Sequence, residues 1–270
     1  MHLRSRLFRI VLLTILVAAA ADAQANAQAN AQANAQPNAQ PNAQPNAQPT
    51  AQARRPDALV VLVHGMGRTS MSMWPMQRAL EADGYRVLNF FYSSYGPTIA
   101  EIGAELSRAV DAEVAAAPVA RVHFVGHSLG NIVVRWMLAN DRMRAPLGRM
   151  VMLAPPNRGA RVADTFAPYV SWLLAPITEL TTTGSTVASL PAPPTGLEFA
   201  IVAGRDDRTV SLEETCLAGA RAHVEVPEGH TFIMMRDDTI AIVKRFLSVG
   251  SIPPAYVAAG RCPTRLRTPS

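Results

Sequence analysis

Ser128 is the residue of this chain best placed to act as a nucleophile. It sits in Gly126-His127-Ser128-Leu129-Gly130, a G-x-S-x-G turn. The apolar run Val122-His123-Phe124-Val125 precedes it, and Ile132, Val133, Trp136 and Met137 follow at helical spacing. A serine hydroxyl attacks well only when it is exposed and a base takes its proton. A strand, a glycine-flanked turn and a helix supply the exposure. The glycines leave room where strand and helix pack closely, and the serine is pushed into a strained position at the strand's carboxyl end. The helix starting at Leu129 directs its free N–H groups and positive dipole end at the same spot. The five-residue pattern alone is weak evidence; the strand before it and the helix after it give it weight.

The base in turn needs an acid to orient it. For a serine on such a turn, the acid and then the histidine are expected downstream. Leu197 to Gly204 reads as a strand, followed by the polar loop Arg205-Asp206-Asp207-Arg208-Thr209-Val210. His223 to Val226 reads as a shorter strand, followed by Pro227-Glu228-Gly229-His230-Thr231-Phe232. An aspartate thus follows one strand and a histidine the next, each at a carboxyl end, where open α/β sheets place their sites. Of the six histidines, His2 lies in a leader, and His64 and His123 precede the nucleophile. His127 fills the variable position of the turn, and His223 opens a strand. That leaves His230 as the base; the plain alternative is a surface-loop histidine. Asp206 and Asp207 compete for the acid. The spacing Asp207-x-x-Val210 sets a polar acid three residues before an apolar anchor, but pattern alone leaves both aspartates open. With Asp207 as the acid, Asp206 is solvated, with Arg205 or Arg208 as an exposed partner contributing ~0–1 kcal/mol. Glu213 and Glu214 read as the first turn of a short helix, where negative charge suits the dipole.

Attack on a carbonyl leaves negative charge on its oxygen, which two N–H donors would stabilise. One is expected from the Leu129 amide. The other is expected from the Met66 amide, in the His64-Gly65-Met66-Gly67 turn that follows the apolar run Ala58 to Val63. Read alone, this is a tight glycine turn after a buried strand.

The elements that must position these residues alternate. Strands are predicted over 58–63, 86–92, 122–126, 149–153, 197–203 and 223–226, and helices over 73–82, 98–116, 129–139 and 237–248. Runs such as Val60-Val61-Leu62-Val63 suit strands buried on both faces, hence an α/β fold with a mostly parallel six-stranded sheet flanked by helices. The folded domain spans 56–250. Between 157 and 195 the alternation breaks down, and a small cap-like insertion is expected there. Its Phe166, Tyr169, Trp172, Leu173 and Leu174 would line an acyl pocket or pack the cap onto the body. Met66, Met71, Met73, Trp74 and Met76 form a second apolar group. It suits an adaptable pocket, although Met73, Met76 and Leu80 also fit plain helix-core spacing.

Together, His64-Gly-Met-Gly-Arg-Thr-Ser-Met-Ser-Met, His123-Phe-Val-Gly-His-Ser128-Leu-Gly-Asn131, Met152-Leu-Ala-Pro-Pro-Asn157-Arg-Gly and His230-Thr-Phe-Ile-Met resemble bacterial lipase-like α/β-hydrolases of the small triacylglycerol lipase and esterase kind. The loop Gly204-x-x-Asp207-x-x-Val210 is similar to the G-x-x-D-x-x-V loop of small lipases, and this likeness favours Asp207 over Asp206 as the acid. The resemblance spans about residues 56–249. It implies a compact α/β-hydrolase fold without the first antiparallel strand pair of larger members. It also implies a carboxylester hydrolase with Ser128, Asp207, His230, Met66 and Leu129 in the roles given above. The turn reads H-G-M-G where some lipases and esterases carry H-G-G-G.

The flanks carry a different message. Residues 1–23 read as a secretory signal peptide, with Arg4, Arg6 and Arg9, an apolar stretch from Ile10 to Ala21 too short to span a bilayer comfortably, and an Ala21-Asp22-Ala23 cleavage site. A secreted or periplasmic location is expected. Residues 24–55 repeat Asn-Ala-Gln-Ala and then Asn-Ala-Gln-Pro, too polar to offset their ordering entropy by burial, and read as a disordered linker. Residues 251–270 form a proline-containing tail. An oxidising compartment permits a Cys216–Cys262 disulfide that ties this tail to the domain. The net charge of +5 includes three leader arginines and one leader aspartate, leaving scattered positive charge and no basic stripe with interleaved aromatics. Nucleic acid is not an expected partner; a small-molecule ester or lipid is, with transient contact to a membrane surface. No metal or dinucleotide motif occurs, so no metal and no cofactor are expected. Two other functions fit the same residues: acyl transfer to an alcohol, and a non-catalytic surface binding module on a hydrolase scaffold.

Overall fold

In a computed structural model, the described residues are 57–170, 175–183, 186–252 and 262. The leader, the repeat linker, Trp172 to Leu174 and most of the tail lie outside them.

The apolar runs form six strands: β1 (Ala58–Val63), β2 (Arg86–Phe90), β3 (Arg121–His127), β4 (Leu147–Leu153), β5 (Glu198–Gly204) and β6 (Ala222–Val226). All pair parallel, in the order β2-β1-β3-β4-β5-β6. Among the described residues there is no antiparallel strand. β2 stops at Phe90, two residues short of the predicted end. Phe91 and Tyr92 begin a loop, and Phe91 points into solvent while Tyr92 is buried.

Helices cover both faces: α1 (Trp74–Ala82), α2 (Ile99–Ala116), α3 (Leu129–Asn140), α4 (Arg161–Val170), α5 (Ala175–Glu179), α6 (Thr186–Ser189) and α7 (Asp237–Val249). The first predicted helix begins one residue later than expected. Ser70–Met73 is a 3-10 turn, and the α-helix starts at Trp74 with Pro75 in its first turn, where a missing N–H costs nothing. Alternation along the strands sends Val60, Leu62, Val125, Val151 and Val202 into one core with Met73, Met76 and Leu80 near α1 and Val243 and Phe246 of α7. The intervening residues Leu59, Val61, Phe124 and Met150 are equally buried and face the other way. That side is covered by α2 and α3, which approach closely enough that Gly103 abuts the Trp136 ring.

Two chain segments differ from expectation or were undecided. Glu213 and Glu214 sit in hydrogen-bonded turns and not in a helix. Glu214 is buried because its carboxylate accepts from the Ser211 and Arg161 amides and pairs with the Arg161 guanidinium. Cys216 and Cys262 are joined by a disulfide that fastens the tail to the β5–β6 connection.

Candidate active site

The chain reverses direction in the sheet at β1. From there it runs outward to β2 and then returns to β3 on the other side. A crevice opens outside the carboxyl ends of strands at such a switch point. Val63 and Gly126 are register partners, so the His64-Gly65 turn and Ser128 leave neighbouring strands side by side.

Ser128 adopts φ 49° and ψ −122°, the left-handed strain expected of a sharp strand-to-helix turn. The surroundings over-determine that strain. The Ser128 amide donates to Leu153 O at 2.9 Å, and Asn131 Nδ2 donates to both Ser128 O and Leu153 O. The two flanking glycines have the spatial role their spacing implied. A side chain at Gly130 would strike Val63 O, and one at Gly126 would strike Asn131. The Leu129 amide is the first of α3 and has no acceptor within the helix.

His230 follows β6, and Asp207 follows β5. The Ser128 Oγ lies 2.8 Å from His230 Nε2, and His230 Nδ1 lies 2.7 Å from Asp207 Oδ2. A carboxylate accepts, so Nδ1 carries the proton toward Asp207 and Nε2 offers its lone pair to the serine hydroxyl. Asp207 is almost fully buried and is braced by the Thr209 and Val210 amides on its other oxygen, at 2.7 and 2.8 Å. The x-x-Val spacing therefore works as an Asx-type turn that aims the acid. Asp206 points outward, and Arg205 pairs with Glu225 instead of with it.

On the β1 side, Gly65-Met66-Gly67-Arg68 forms a turn closed by Arg68 N donating to Gly65 O, with Gly67 at φ 67°. Gly67 N donates to Ser94 Oγ. The Met66 amide, by contrast, has no partner among the described residues. A Cβ on Gly65 would lie 3.1 Å from Ser128 Cβ, so only glycine lets this turn come so near the serine. His64 is stacked on Tyr92 with ring centroids 4.1 Å apart, and the Tyr92 hydroxyl donates to His64 O. Burial pushes the His64 pKa down to about 4, so its ring is a neutral prop for the turn.

Sequence reasoning missed His127 and Asn131. The turn pattern makes His127 a mere filler of its variable position, yet its Nε2 donates to the main-chain oxygen of His230 at 2.9 Å. Asn131 could have been noticed as a polar residue on the apolar side of a helix; a buried amide there must have carbonyls to serve. The apolar groups sort cleanly. Met73 and Met76 are core, whereas Met71 and Trp74 are exposed and Met66 is half-buried. Phe91 (60% exposed), Tyr95 (40%) and Phe232 (49%) stand on the loops after β2 and β6, and the Arg68 guanidinium lies 5.9 Å from the Phe232 ring.

The insertion between β4 and β5 holds α4, α5 and α6, pinned at several points. Arg135 of α3 donates to Asn157 Oδ1 and to the Leu190 and Pro191 carbonyls, and Asn157 Nδ2 donates to Thr215 O. Glu179 accepts from the Ile99 amide at the start of α2. Among the described residues, one trio brings three metal-type ligand atoms within 4.8 Å: Cys216, His223 and Cys262. Its two sulfurs are bonded to each other, and it belongs to the β5–β6 connection.

The profile of the alpha/beta hydrolase family matches residues 60–243, more than half of the chain. The chain belongs to the α/β-hydrolase family. Solved structures of similar fold include phospholipase PlaB from Legionella pneumophila, with a TM-score of 0.58 at 18% identity. That match covers 72% of this chain, which spans only 60% of PlaB. The mature form of the Bacillus licheniformis lipase BlEst2 gives a TM-score of 0.59 at 18% identity, covering 75% of this chain and 96% of that one. An esterase of Pyrococcus furiosus gives 0.52 at 19% identity, covering 75% and 83%. Likenesses this distant in sequence speak to the fold. No curated protein sequence matches the chain.

Proposed function

We propose that the protein is an exported serine carboxylester hydrolase. The observation that carries this reading is the continuous hydrogen-bond chain from Ser128 Oγ through the His230 imidazole to the buried Asp207 carboxylate. Ser128 attacks the ester carbonyl while His230 Nε2 takes its proton. Asp207 fixes the imidazole tautomer and stabilises the imidazolium that forms. The oxyanion is stabilised by the amides of Met66 and Leu129, which typically contribute ~10²–10³ each in rate. His230 then protonates the leaving alcohol, and water resolves the acyl-enzyme by the same path. The exposed apolar side chains Phe91, Tyr95 and Phe232 on loops at this end of the sheet favour esters with an apolar acyl part, or a lipid surface, as substrate. Export rests on the leader and its cleavage motif; a disulfide suits an oxidising compartment.

The test is hydrolysis of chromogenic esters of graded acyl length, with fluorophosphonate labelling of the serine. The Ser128→Ala chain is expected to lose ~10⁴–10⁶ in turnover and all labelling. Equal rates in the two chains would refute the mechanism.

A further inference from the structure

We propose that His127 is a positioning residue that holds the main chain of His230 in register with Ser128. The inference rests on the serine hydrolase reading and adds a residue to it. His230 stands on a loop beyond β6, an edge strand three places from β3 in the sheet. The main chain of that loop is tied on either side of His230: before it Glu228 N donates to Val226 O and Glu228 O accepts from Asp206 N, and after it Met235 N donates to Phe232 O. The one hydrogen bond to the main chain of His230 itself, among the described residues, comes from His127 Nε2. His127 is the last residue of β3, directly before the nucleophile, and is 2% exposed. One bond thus connects a buried inner strand of the sheet to the residue that must stay within hydrogen-bond reach of Ser128 Oγ. Loss of register by about 1 Å at such a pair costs on the order of 10²-fold.

The chemistry of the ring agrees. A carbonyl only accepts, so His127 Nε2 must carry the proton and Nδ1 the lone pair. Nδ1 is buried without a partner among the described residues and faces the oxyanion turn, 2.8 Å from where a Gly65 Cβ would be. A buried unmet acceptor is unfavourable, so the ring is held there by its other nitrogen. Burial also drives the His127 pKa well below the usual value. The ring, 5.1 Å from that of His230, therefore stays neutral when His230 becomes an imidazolium.

Three variants of the full chain test this. Glutamine carries its amide nitrogen near the place of Nε2, asparagine stops near Nδ1, and leucine fills space without a donor. His127→Leu and His127→Asn are expected to lose about 10- to 100-fold in kcat with KM within about twofold, and His127→Gln to recover most of the loss. Full kcat in His127→Leu or His127→Asn, or a His127→Gln chain as impaired as His127→Leu, overturns the proposal. If the variants do not fold, ¹⁵N spectra of the wild-type imidazoles decide. An Nε2–H tautomer at His127 supports the bond, and an Nδ1–H tautomer overturns it. A wild-type chain that neither turns over esters nor takes the fluorophosphonate defeats the hydrolase reading instead, with the tautomer still reporting on the bond.

Discussion

Two adjacent aspartates, one residue apart along the chain, end in opposite environments. Asp207 is enclosed by two loop amides and the His230 ring, while Asp206 is left in solvent. Removing the charge of the first disturbs the imidazole tautomer; removing that of the second disturbs only hydration. Asp207→Asn is therefore expected to lower kcat by ~10³–10⁴. Asp206→Asn should stay within about twofold, because an exposed charge without a tight partner contributes little. Steady-state kinetics of the two variants check this, and an Asp206→Asn chain as impaired as Asp207→Asn would reassign the acid. The x-x-Val spacing was legible for a local reason: the turn that braces Asp207 through the Thr209 and Val210 amides is made by neighbours in sequence. His127 was not legible in the same way, because its partner is 103 residues away and nothing near it in sequence announces the bond.

Elements were the most legible level. The six strands lie where the apolar runs placed them, since burial of both faces by parallel pairing leaves a continuous apolar signature. The β4–β5 insertion was legible only as a break in pattern. Its anchoring by Arg135, Asn157 and Glu179 depends on residues from α2, α3 and the β5–β6 loop meeting in space. The β5–β6 connection is irregular, carries Asp207 at one end and is tied at Cys216 to Cys262, 46 residues on. Closing a loop of that length restricts the unfolded chain and is worth about 2–4 kcal/mol. Cys262→Ser is expected to lower unfolding free energy by about that amount in thermal or denaturant melts. Fluorophosphonate labelling of Ser128 at low temperature should be unaffected, because the disulfide is not among the groups that touch His230. An unchanged melt would show that the tail adds no constraint.

At the scale of the whole domain, the buried histidines make stability depend on pH. His64 and His123 are each pushed down to about 4, chiefly by burial and, for His123, also by the nearby Arg149 and Arg121 cations. For these two groups the unfolded chain binds more protons than the folded one between pH ~6.5 and ~4, so stability falls as the pH drops through this window and their contribution to the fall levels off below it. Each histidine contributes up to roughly 3 kcal/mol to the fall. Urea melts across this range check it. Replacing His123 by an apolar residue of similar volume should flatten the slope, and a slope unchanged by that replacement would remove His123 from the account. The strand–helix alternation, the serine turn and the order serine, aspartate, histidine could all be read from the residues alone, because hydrophobic periodicity and turn chemistry act over a few residues. Which side chains touch was settled by the packing of the folded domain. It left Asp206 in solvent, paired the cysteines, made Arg135 an anchor of the insertion and turned His127 toward His230. Each of those outcomes depends on which loops the parallel sheet brings together at its carboxyl edge, and segments tens of residues apart carry no local trace of that meeting.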